Sequence, residues 1–265
     1  MSKTALVTGS SRGIGKACAL KLAELGYDIA VNCNSNLEMA QKAVDEITSL
    51  GRKAVAYKAN TADIDEVKDM FRSIQQDFGG IDVLINNAGA IALMGVESTS
   101  LKQYDLIQTI NHRATFICAQ AALPFLKQSE NPHILSLSPP VNMSPKWLGM
   151  LAPYALSKYG MTILTLGMAE EFRHYGISCN TLWPETYIAT AAVSKNLGEE
   201  NTLQVSRKPQ IMADAAFAIY STAKGELTGQ SLTDEQALSR IGITDFSQYA
   251  CVAGNTNLQK DFFLD

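Results

Sequence analysis

Short apolar segments alternate with longer amphipathic segments along most of this chain. The short segments are almost wholly apolar, as expected for strands that are covered on both faces of a parallel sheet. We predict strands over 4–7, 28–33, 53–57, 81–86, 133–137, 177–182 and 227–232. We predict helices over 16–26, 36–50, 63–77, 101–127 and 153–175. This alternation indicates a doubly wound α/β fold with a parallel sheet.

The chain length of 265 residues suits one large α/β domain with a well-buried core. We find no repeat or linker and assign residues 1–232 to a single domain. Residues 184–209 are rich in Thr, Ser and Asn and could fold over a site as a lid. Residues 233–265 end in DFFLD, and two adjacent phenylalanines are unfavourable in water. We therefore expect this tail to pack on the domain or on a neighbouring subunit.

Charge and composition argue against several classes of protein. The net charge of −4 and the lack of a Lys/Arg cluster argue against nucleic-acid binding. No apolar run is long enough to span a bilayer, so we expect no membrane partner. The five scattered cysteines, together with a strand-like start that leaves no room for a signal peptide, favour a cytoplasmic location. The three histidines show no metal-ligand spacing, and we expect no metal site.

A glycine-rich turn, TGSSRGIG (8–15), follows the first predicted strand and opens a helix. Glycines allow tight turns and close approach of a diphosphate, while free N–H groups at a helix start favour negative charge. The spacing differs from the GxGxxG fingerprint, so an ordinary glycine-rich turn remains an alternative that the strand–turn–helix context disfavours. We predict that the turn binds a dinucleotide through Gly9, Ser11, Arg12, Gly13, Ile14 and Gly15.

The end of the second predicted strand bears on the type of dinucleotide. A carboxylate here would bind a ribose 2′-OH and repel a 2′-phosphate. The chain instead has Asn32, Cys33, Asn34 and Ser35, with Arg12 in the nearby turn. Because a guanidinium in a neutral polar pocket suits a 2′-phosphate, we predict NADP, with Asn34 and Ser35 among its contacts. NAD remains an alternative, and Arg12 could also be a solvated loop charge.

Tyr154 and Lys158, in YALSK, lie four residues apart and therefore share one face of a helix. A nearby ammonium favours phenolate and could lower the tyrosine pKa, which would let the phenol act as an acid for a carbonyl oxygen. Tyr220 and Lys224 have the same spacing. Spacing by itself therefore does not choose between the two pairs.

Several motifs together resemble the short-chain dehydrogenase/reductase family. Their order and approximate spacing match over residues 1 to about 232, and they are TGSSRGIG (8–15), NNAG (86–89), Asn111, YALSK (154–158) and NTLWP (180–184). The resemblance selects Tyr154 and Lys158 over the second pair. It implies a Rossmann fold and a homodimer or homotetramer.

The resemblance also implies roles for individual residues. Tyr154 would be the general acid in reduction, and Lys158 would hold the nicotinamide ribose and lower the tyrosine pKa. Asn111 would help to hold a water in a proton relay to Lys158. Asn60 often corresponds to Asp in the family. The remaining implied cofactor contacts are Asn60, Thr61, Asn87, Ala88, Gly89, Pro184 and Ile188.

The family's usual serine, which polarises the substrate carbonyl, has no direct counterpart in ILSLSPPVNMSP (134–145). Its position falls on Pro139, which carries no hydrogen-bond donor. Ser138 could shift into place, Ser144 or Asn142 could reach in from the loop, or the role could be missing. We favour Ser138 and interpret Ser136 as structural.

Residues 133–265 resemble a narrower branch, the hydroxysteroid dehydrogenase-like protein 2 group, in SPPVN, LWPETYIATAA and DFFLD. The N-terminal half is similar to 3-oxoacyl-carrier-protein reductases, notably in AVNCNSN. Glu185 stands where the family usually has glycine, which puts backbone contacts to the nicotinamide carboxamide in question.

We expect an NADP-preferring oxidoreductase that acts on a carbonyl or secondary alcohol. The apolar segment 143–151 favours an apolar substrate, or alternatively forms a subunit interface. An NAD-linked hydroxyacyl dehydrogenase and a cofactor-binding protein with vestigial catalysis remain alternatives. A serine hydrolase is disfavoured because the chain has no GxSxG motif.

Overall fold

Seven parallel strands form one sheet at the centre of the computed structural model, which describes residues 3–264. Met1, Ser2 and Asp265, the last of which belongs to the predicted tail, lie outside the described residues. The strands are β1 (Thr4–Val7), β2 (Asp28–Cys33), β3 (Ala54–Lys58), β4 (Val83–Asn86), β5 (His133–Leu137), β6 (Ser178–Trp183) and β7 (Ser231–Thr233). Their spatial order is β3-β2-β1-β4-β5-β6-β7. The predicted doubly wound parallel sheet is confirmed.

The strand order changes direction beside β1, which pairs with β2 on one side and with β4 on the other. In open parallel sheets, the connections diverge at such a point and leave a crevice at the carboxyl ends of the strands. The glycine-rich turn after β1 and the NNAG segment after β4 therefore meet at the edge where a ligand is expected.

Helices cover both faces of the sheet through apolar stripes of helical period. In α3, for example, Val67, Met70, Phe71 and Ile74 are buried. Within residues 3–264, no helix is both long and apolar enough to cross a membrane. The helices are α1 (Gly13–Glu24), α2 (Leu37–Ser49), α3 (Ile64–Phe78), α4 (Leu101–Gln108), α5 (Ala114–Leu126), α6 (Pro145–Glu171), α7 (Ala191–Leu197), α8 (Glu199–Val205), α9 (Gln210–Tyr220) and α10 (Asp234–Ser239).

Helix α6 begins eight residues earlier than the predicted start at 153, at Pro145. Ser144 precedes it and Pro145 occupies the first turn, where proline costs the helix no hydrogen bond. Leu151 breaks the helical geometry (φ −135°, ψ 26°), two residues before Pro153. The proline ring removes an N–H and crowds the preceding turn, which accounts for the kink.

Three other elements differ from the sequence-based expectation. A π-helical turn at Thr109–Arg113 divides the single predicted helix over 101–127 into α4 and α5. The segment expected to be weakly periodic contains the short helices α7 and α8. The last strand is the short β7 rather than 227–232.

The polypeptide after α10 crosses the molecule and runs beside the segment that follows β6. Tyr187 N donates to Gln259 O (2.9 Å), and Asp261 N donates to Glu185 O (3.1 Å). Phe263 is 1% exposed and packs with Trp147, Tyr154, Tyr159 and Trp183. In this structure the tail therefore packs on its own domain, through the aromatic cluster that contains Tyr154.

Candidate active site

A cavity of about 1090 Å³ opens at the carboxyl ends of the strands and extends from the glycine-rich turn to Tyr154. Three predicted site residues, Gly15, Asn111 and Ser138, lie outside its wall. The predicted residues that line it are Gly9, Ser11, Arg12, Gly13, Ile14, Asn34, Ser35, Asn60, Thr61, Asn87, Ala88, Gly89, Tyr154, Lys158, Pro184 and Ile188.

The glycine-rich turn needs its glycines for two different reasons. Gly9 (φ 63°) and Gly13 (φ 59°) adopt the left-handed conformation that other residues avoid. Gly15 is needed for packing, because a Cβ atom there would lie 2.8 Å from Gly9 O and even closer to the side chain of Asn87. The turn thus brings the N-terminus of α1 to the cavity, where its free N–H groups favour an anion.

Polar side chains at the ends of neighbouring strands hold this turn, and those of Thr8 and Asn32 are buried. Asn87 Nδ2 donates to Thr8 O (2.8 Å) and Gly9 O (3.1 Å), and Thr8 Oγ1 accepts from the N–H groups of Asn87 and Ala88. Asn32 Oδ1 accepts from Gly9 N (3.1 Å). Thr8 was missed by the sequence analysis, although a polar residue closing an apolar strand was an available signal. Asn32 also lines the cavity, but its side chain supports the turn.

The end of the cavity beside β2 is polar. Asn34 and Ser35 are exposed there, as is Arg12. The one carboxylate in this part of the lining, Glu46, forms a 2.7 Å ion pair with Lys16. Among the described lining residues at this end, Arg12 is therefore the cation without an acidic partner.

Tyr154 and Lys158 lie at the opposite end, on the buried side of α6. Burial raises the pKa of Tyr154 above its ordinary value, and the negative charge of Asp261 raises it further. Burial lowers the pKa of Lys158 to about 8, against an opposing effect of Asp261. Lys158 Nζ donates to Leu137 O (2.9 Å). The lowering of the Tyr154 pKa that was expected from the ammonium is therefore not found in this structure, in which burial raises that pKa.

Asn111 lies in the π-helical turn, and its side chain is fully hydrogen-bonded. Nδ2 donates to Ser157 Oγ (2.8 Å) and Ala90 O (3.1 Å), while Oδ1 accepts from Ala90 N (2.9 Å). These hydrogen bonds connect the segment after β4, which contains Gly89, to the turn of α6 that contains Lys158. The side chain of Asn111 therefore positions two walls of the cavity.

The structure does not bring Ser138 to the cavity. Its hydroxyl is fully buried and accepts a hydrogen bond from Thr162 Oγ1 (2.9 Å) on α6. Ser136 Oγ accepts in the same way from Thr165 Oγ1 (2.7 Å). Asn142 Nδ2 donates to Phe263 O (3.0 Å), and its Oδ1 accepts from Ser144 N (2.9 Å). Ser136 and Ser138 therefore stabilise the packing of β5 and its following loop against α6, whereas Ser144 immediately precedes α6 and lies outside the cavity wall.

The wall near Tyr154 also contains residues that were not predicted from the sequence, namely Trp183, Tyr187, Asp261 and Phe262. Trp183 Nε1 donates to Phe262 O (3.1 Å), which ties the tail to the end of β6. Burial raises the pKa of Asp261 to about 7, against the effect of the N–H of Phe262. The paired phenylalanines of DFFLD predicted that the tail packs, but nothing in the pattern indicated where.

Glu185, which replaces the family's usual glycine, uses both of its backbone polar groups. Its N–H donates to Asp234 Oδ1 (3.0 Å), and its carbonyl accepts from Asp261 N (3.1 Å). The position that departs from the family pattern therefore anchors the tail.

Comparisons with known proteins agree on the family and on the fold. Residues 3–201 match a family model described as short chain dehydrogenase. The chain is 41% identical over 268 residues to hydroxysteroid dehydrogenase-like protein 2 of Rattus norvegicus and 42% identical to that of Danio rerio. Both alignments cover 99% of this chain, but it spans only 50% of the rat protein and 64% of the zebrafish protein.

Solved structures give the same result. A short chain dehydrogenase from Mycobacterium thermoresistibile is 40% identical with a TM-score of 0.92, over 99% of this chain and 95% of that one. A dehydrogenase from Xanthomonas campestris has the same identity and TM-score, over 99% and 98%. A short chain dehydrogenase from Burkholderia cenocepacia in complex with NADP is 29% identical with a TM-score of 0.78, over 87% and 95%.

Proposed function

Because this chain belongs to the short-chain dehydrogenase/reductase family, we propose that it transfers a hydride between NADP and a carbonyl or secondary alcohol. The observation that carries this proposal is the single cavity that joins the glycine-rich turn to Tyr154 and Lys158. One end of the cavity suits a dinucleotide phosphate and the other suits acid–base chemistry.

The residues present fit a nicotinamide dinucleotide. The turn from Gly9 to Gly15 would hold the diphosphate, because it lines the cavity and leads into the N-terminus of α1, whose free N–H groups favour an anion. Asn60 and Thr61 would face the adenine, and Lys158 would hold the nicotinamide ribose. When bound, the cofactor supplies the hydride for reduction or accepts it in oxidation.

Tyr154 performs the proton transfer in this proposal. In reduction its hydroxyl gives a proton to the carbonyl oxygen, and the carbonyl carbon becomes the secondary alcohol carbon. The ammonium of Lys158, one helical turn away, stabilises the phenolate that remains. Asn111 keeps this helix turn aligned with the strand end at Gly89 through its bonds to Ser157 and Ala90.

Charge at the β2 end supports NADP over NAD. Residues 32–36 contain no acid, and the carboxylate of Glu46 is paired with Lys16. The exposed guanidinium of Arg12 is free to pair with a 2′-phosphate. The relative from Burkholderia cenocepacia, described in complex with NADP, is consistent with this preference.

We expect fluorescence titration to show tighter binding of NADPH than of NADH by about tenfold, or about 1.4 kcal/mol. The variant R12A should remove most of this preference by weakening NADPH binding and sparing NADH. R72A, which removes an exposed arginine from α3, is the matched control and should bind both cofactors normally. Equal or tighter binding of NADH by the wild type would refute the preference.

The aromatic and aliphatic residues near Tyr154 favour an apolar carbonyl substrate. Trp183, Tyr187, Phe262, Ile91 and Leu93 line this end of the cavity. The test of activity is a panel of apolar ketones and aldehydes, monitored through oxidation of NADPH. Turnover of one or more panel members supports a reductase.

A cofactor-binding protein with vestigial catalysis is the second candidate. Two observations favour it, since Ser138 is turned toward Thr162 and the backbone of Glu185 is engaged by Asp234 and Asp261. Tight NADPH binding by a wild type that turns over no panel member in either direction would favour this candidate over the reductase.

We further propose that the protein is a homo-oligomer that buries exposed apolar residues of α4, α5 and α6. Leu106, Phe116, Leu156 and Ile163 each expose about half or more of their surface. Leu156 and Ile163 are seven residues apart on α6 and therefore share a face. A surface of this kind is typical of protein–protein contacts.

The variant I163E should shift the protein from a dimer or tetramer to a monomer, because it places a charge in the proposed interface. Sedimentation velocity at a fixed protein concentration measures the change. L37E is the matched control, since Leu37 is a half-exposed apolar residue on α2, at the other face of the sheet. A monomeric wild type, or an unchanged assembly of I163E, would contradict the proposal.

Cysteine chemistry supports a cytoplasmic location, which we also propose. The five cysteines are free, and four of them, Cys18, Cys33, Cys118 and Cys179, are buried. Reduced thiols of this kind are typical of a reducing compartment. Cell fractionation followed by detection of the chain tests the location.

A further inference from the structure

We propose that Asp261, supplied by the tail, is a further catalytic residue that donates a hydrogen bond to the substrate's carbonyl oxygen beside Tyr154. This inference rests on the proposed function and assigns to a carboxyl group the role that the family gives to a serine hydroxyl. In reduction, Tyr154 still transfers the proton, and the Asp261 proton remains on the carboxyl group while it stabilises the developing negative charge.

Asp261 is placed for this role by the cavity itself. It is 9% exposed, and it shares the cavity wall with Tyr154, Lys158 and Trp183. Two residues further along, the ring of Phe263 lies nearly parallel to that of Tyr154, with 6.0 Å between centroids. The same short segment thus supplies a carboxyl group to the wall and a support for the catalytic ring.

The carboxyl group has one oxygen available. Asp261 Oδ1 accepts a hydrogen bond from Phe262 N (2.6 Å). Among residues 3–264, no hydrogen bond to Oδ2 is present. A protonated Oδ2 would therefore act as a donor toward a ligand, while the bond at Oδ1 fixes the orientation of the group.

The backbone around Asp261 is held on both sides. Its own N–H donates to Glu185 O (3.1 Å), and Phe262 O accepts from Trp183 Nε1 (3.1 Å). Phe263 O accepts from Asn142 Nδ2 (3.0 Å). A catalytic group needs this kind of support, because a donor that moves freely loses much of its effect on a transition state.

The residues that the sequence offered in place of the usual serine do not line the cavity. Ser138 accepts a hydrogen bond from Thr162 and Asn142 binds the tail, whereas Ser144 lies outside the cavity wall. Pro139, at the position of the usual serine, has no donor. The structure therefore leaves the substrate side of Tyr154 without the serine donor, and places Asp261 in the wall there instead.

The protonation state fits a donor. Burial raises the pKa of Asp261 to about 7, and the groups that face it are Tyr154 and Lys158 of α6, Tyr187 and Asp234. Lys158 favours its ionised form and Asp234 favours its neutral form. A carboxylate would oppose charge that develops on a carbonyl oxygen, whereas a neutral carboxyl stabilises it. We therefore expect the reductase to work best below about pH 7.

The kinetic test compares D261N, which retains donor groups but does not titrate, with D261A, which has none. With a ketone accepted from the panel at pH 6, D261A should lower kcat/KM by about a hundredfold or more. The kcat/KM of D261N should stay within about tenfold of the wild-type value. Above about pH 7 the wild-type kcat/KM should fall, whereas that of D261N should not. Fluorescence titration should show unchanged NADPH binding by both variants.

Two measurements without substrate accompany the kinetics. At pH 6, the infrared spectrum of the wild type should contain a neutral-carboxyl band that D261N lacks. Because the folded pKa of Asp261 exceeds the unfolded value of about 3.9, the wild type should lose stability as pH rises toward about 7. D261N should therefore gain several degrees in Tm relative to the wild type between pH 5 and pH 8.

The outcomes separate this inference from the proposed function. A wild type that reduces a ketone while D261A keeps its rate overturns the inference and leaves the function in place. An equal fall of kcat/KM in D261N and D261A also overturns it. So does an infrared spectrum in which the wild type and D261N have the same neutral-carboxyl absorption. A wild type that binds NADPH and reduces no panel member overturns both the reductase and the inference.

Discussion

Replacement of Tyr154 by Phe is expected to lower kcat by about a hundred- to ten-thousand-fold, the usual contribution of a positioned acid or base. The substitution removes one hydroxyl group and keeps the ring. The stacking on Phe263 and the burial of the ring should therefore persist. NADPH affinity should change little, since the glycine-rich turn at the far end of the cavity is untouched.

Tyr159 provides a matched control for Tyr154→Phe. It lies on the same helix and also packs on Phe263, with 5.1 Å between centroids, but its hydroxyl donates to Asn142 O (2.7 Å) outside the cavity wall. Y159F should lose about 1 kcal/mol of unfolding free energy and keep its turnover. Comparable rates for Y154F and the wild type in the ketone assay would contradict the assigned acid.

Replacement of Phe263 by Ala should cost about 3–5 kcal/mol of unfolding free energy, as expected for a buried phenylalanine. The ring is 1% exposed and contacts Trp147, Tyr154, Tyr159 and Trp183. Its loss also removes the support of Tyr154 and loosens the segment that carries Asp261. We therefore expect kcat to fall together with stability.

Urea denaturation measures the stability loss of F263A, and the ketone assay measures the activity loss. F78A is the control, because Phe78 is a partly buried phenylalanine at the end of α3 and packs in another cluster. It should cost less stability and leave kcat unchanged. Phe263 also has a left-handed backbone (φ 71°), so F263G should be less destabilised than its missing ring volume predicts. Wild-type stability of F263A would show that the tail is not docked in solution.

The parts of the fold that could be predicted are those specified by local patterns. The alternation of apolar and amphipathic segments predicted β1, β2 and β5 to the residue, and most residues of the predicted motifs line one cavity. The start of α6 was misplaced, although Ser144-Pro145 is a recognisable helix start.

The parts that could not be predicted depend on distant contacts. The local sequence around Ser138 and Asp261 does not determine where their side chains point, because both depend on partners elsewhere in the chain. Thr162 donates a hydrogen bond to the hydroxyl of Ser138. Packing against α6 and against the segment after β6 places Asp261 in the cavity wall beside Tyr154. Hydrophobic period and turn signals contain no information about such pairings.

The docking of residues 259–264 also affects the order in which parts of the protein can fold during synthesis. Contacts of the tail span 79 residues to Trp183 and 121 residues to Asn142. All seven strands are synthesised before these residues leave the ribosome, so the sheet can assemble while the cavity wall that contains Asp261 and Phe262 is still missing. A nascent chain can therefore be largely folded before residues 259–264 emerge, and acquires the wall beside Tyr154 only once they have docked.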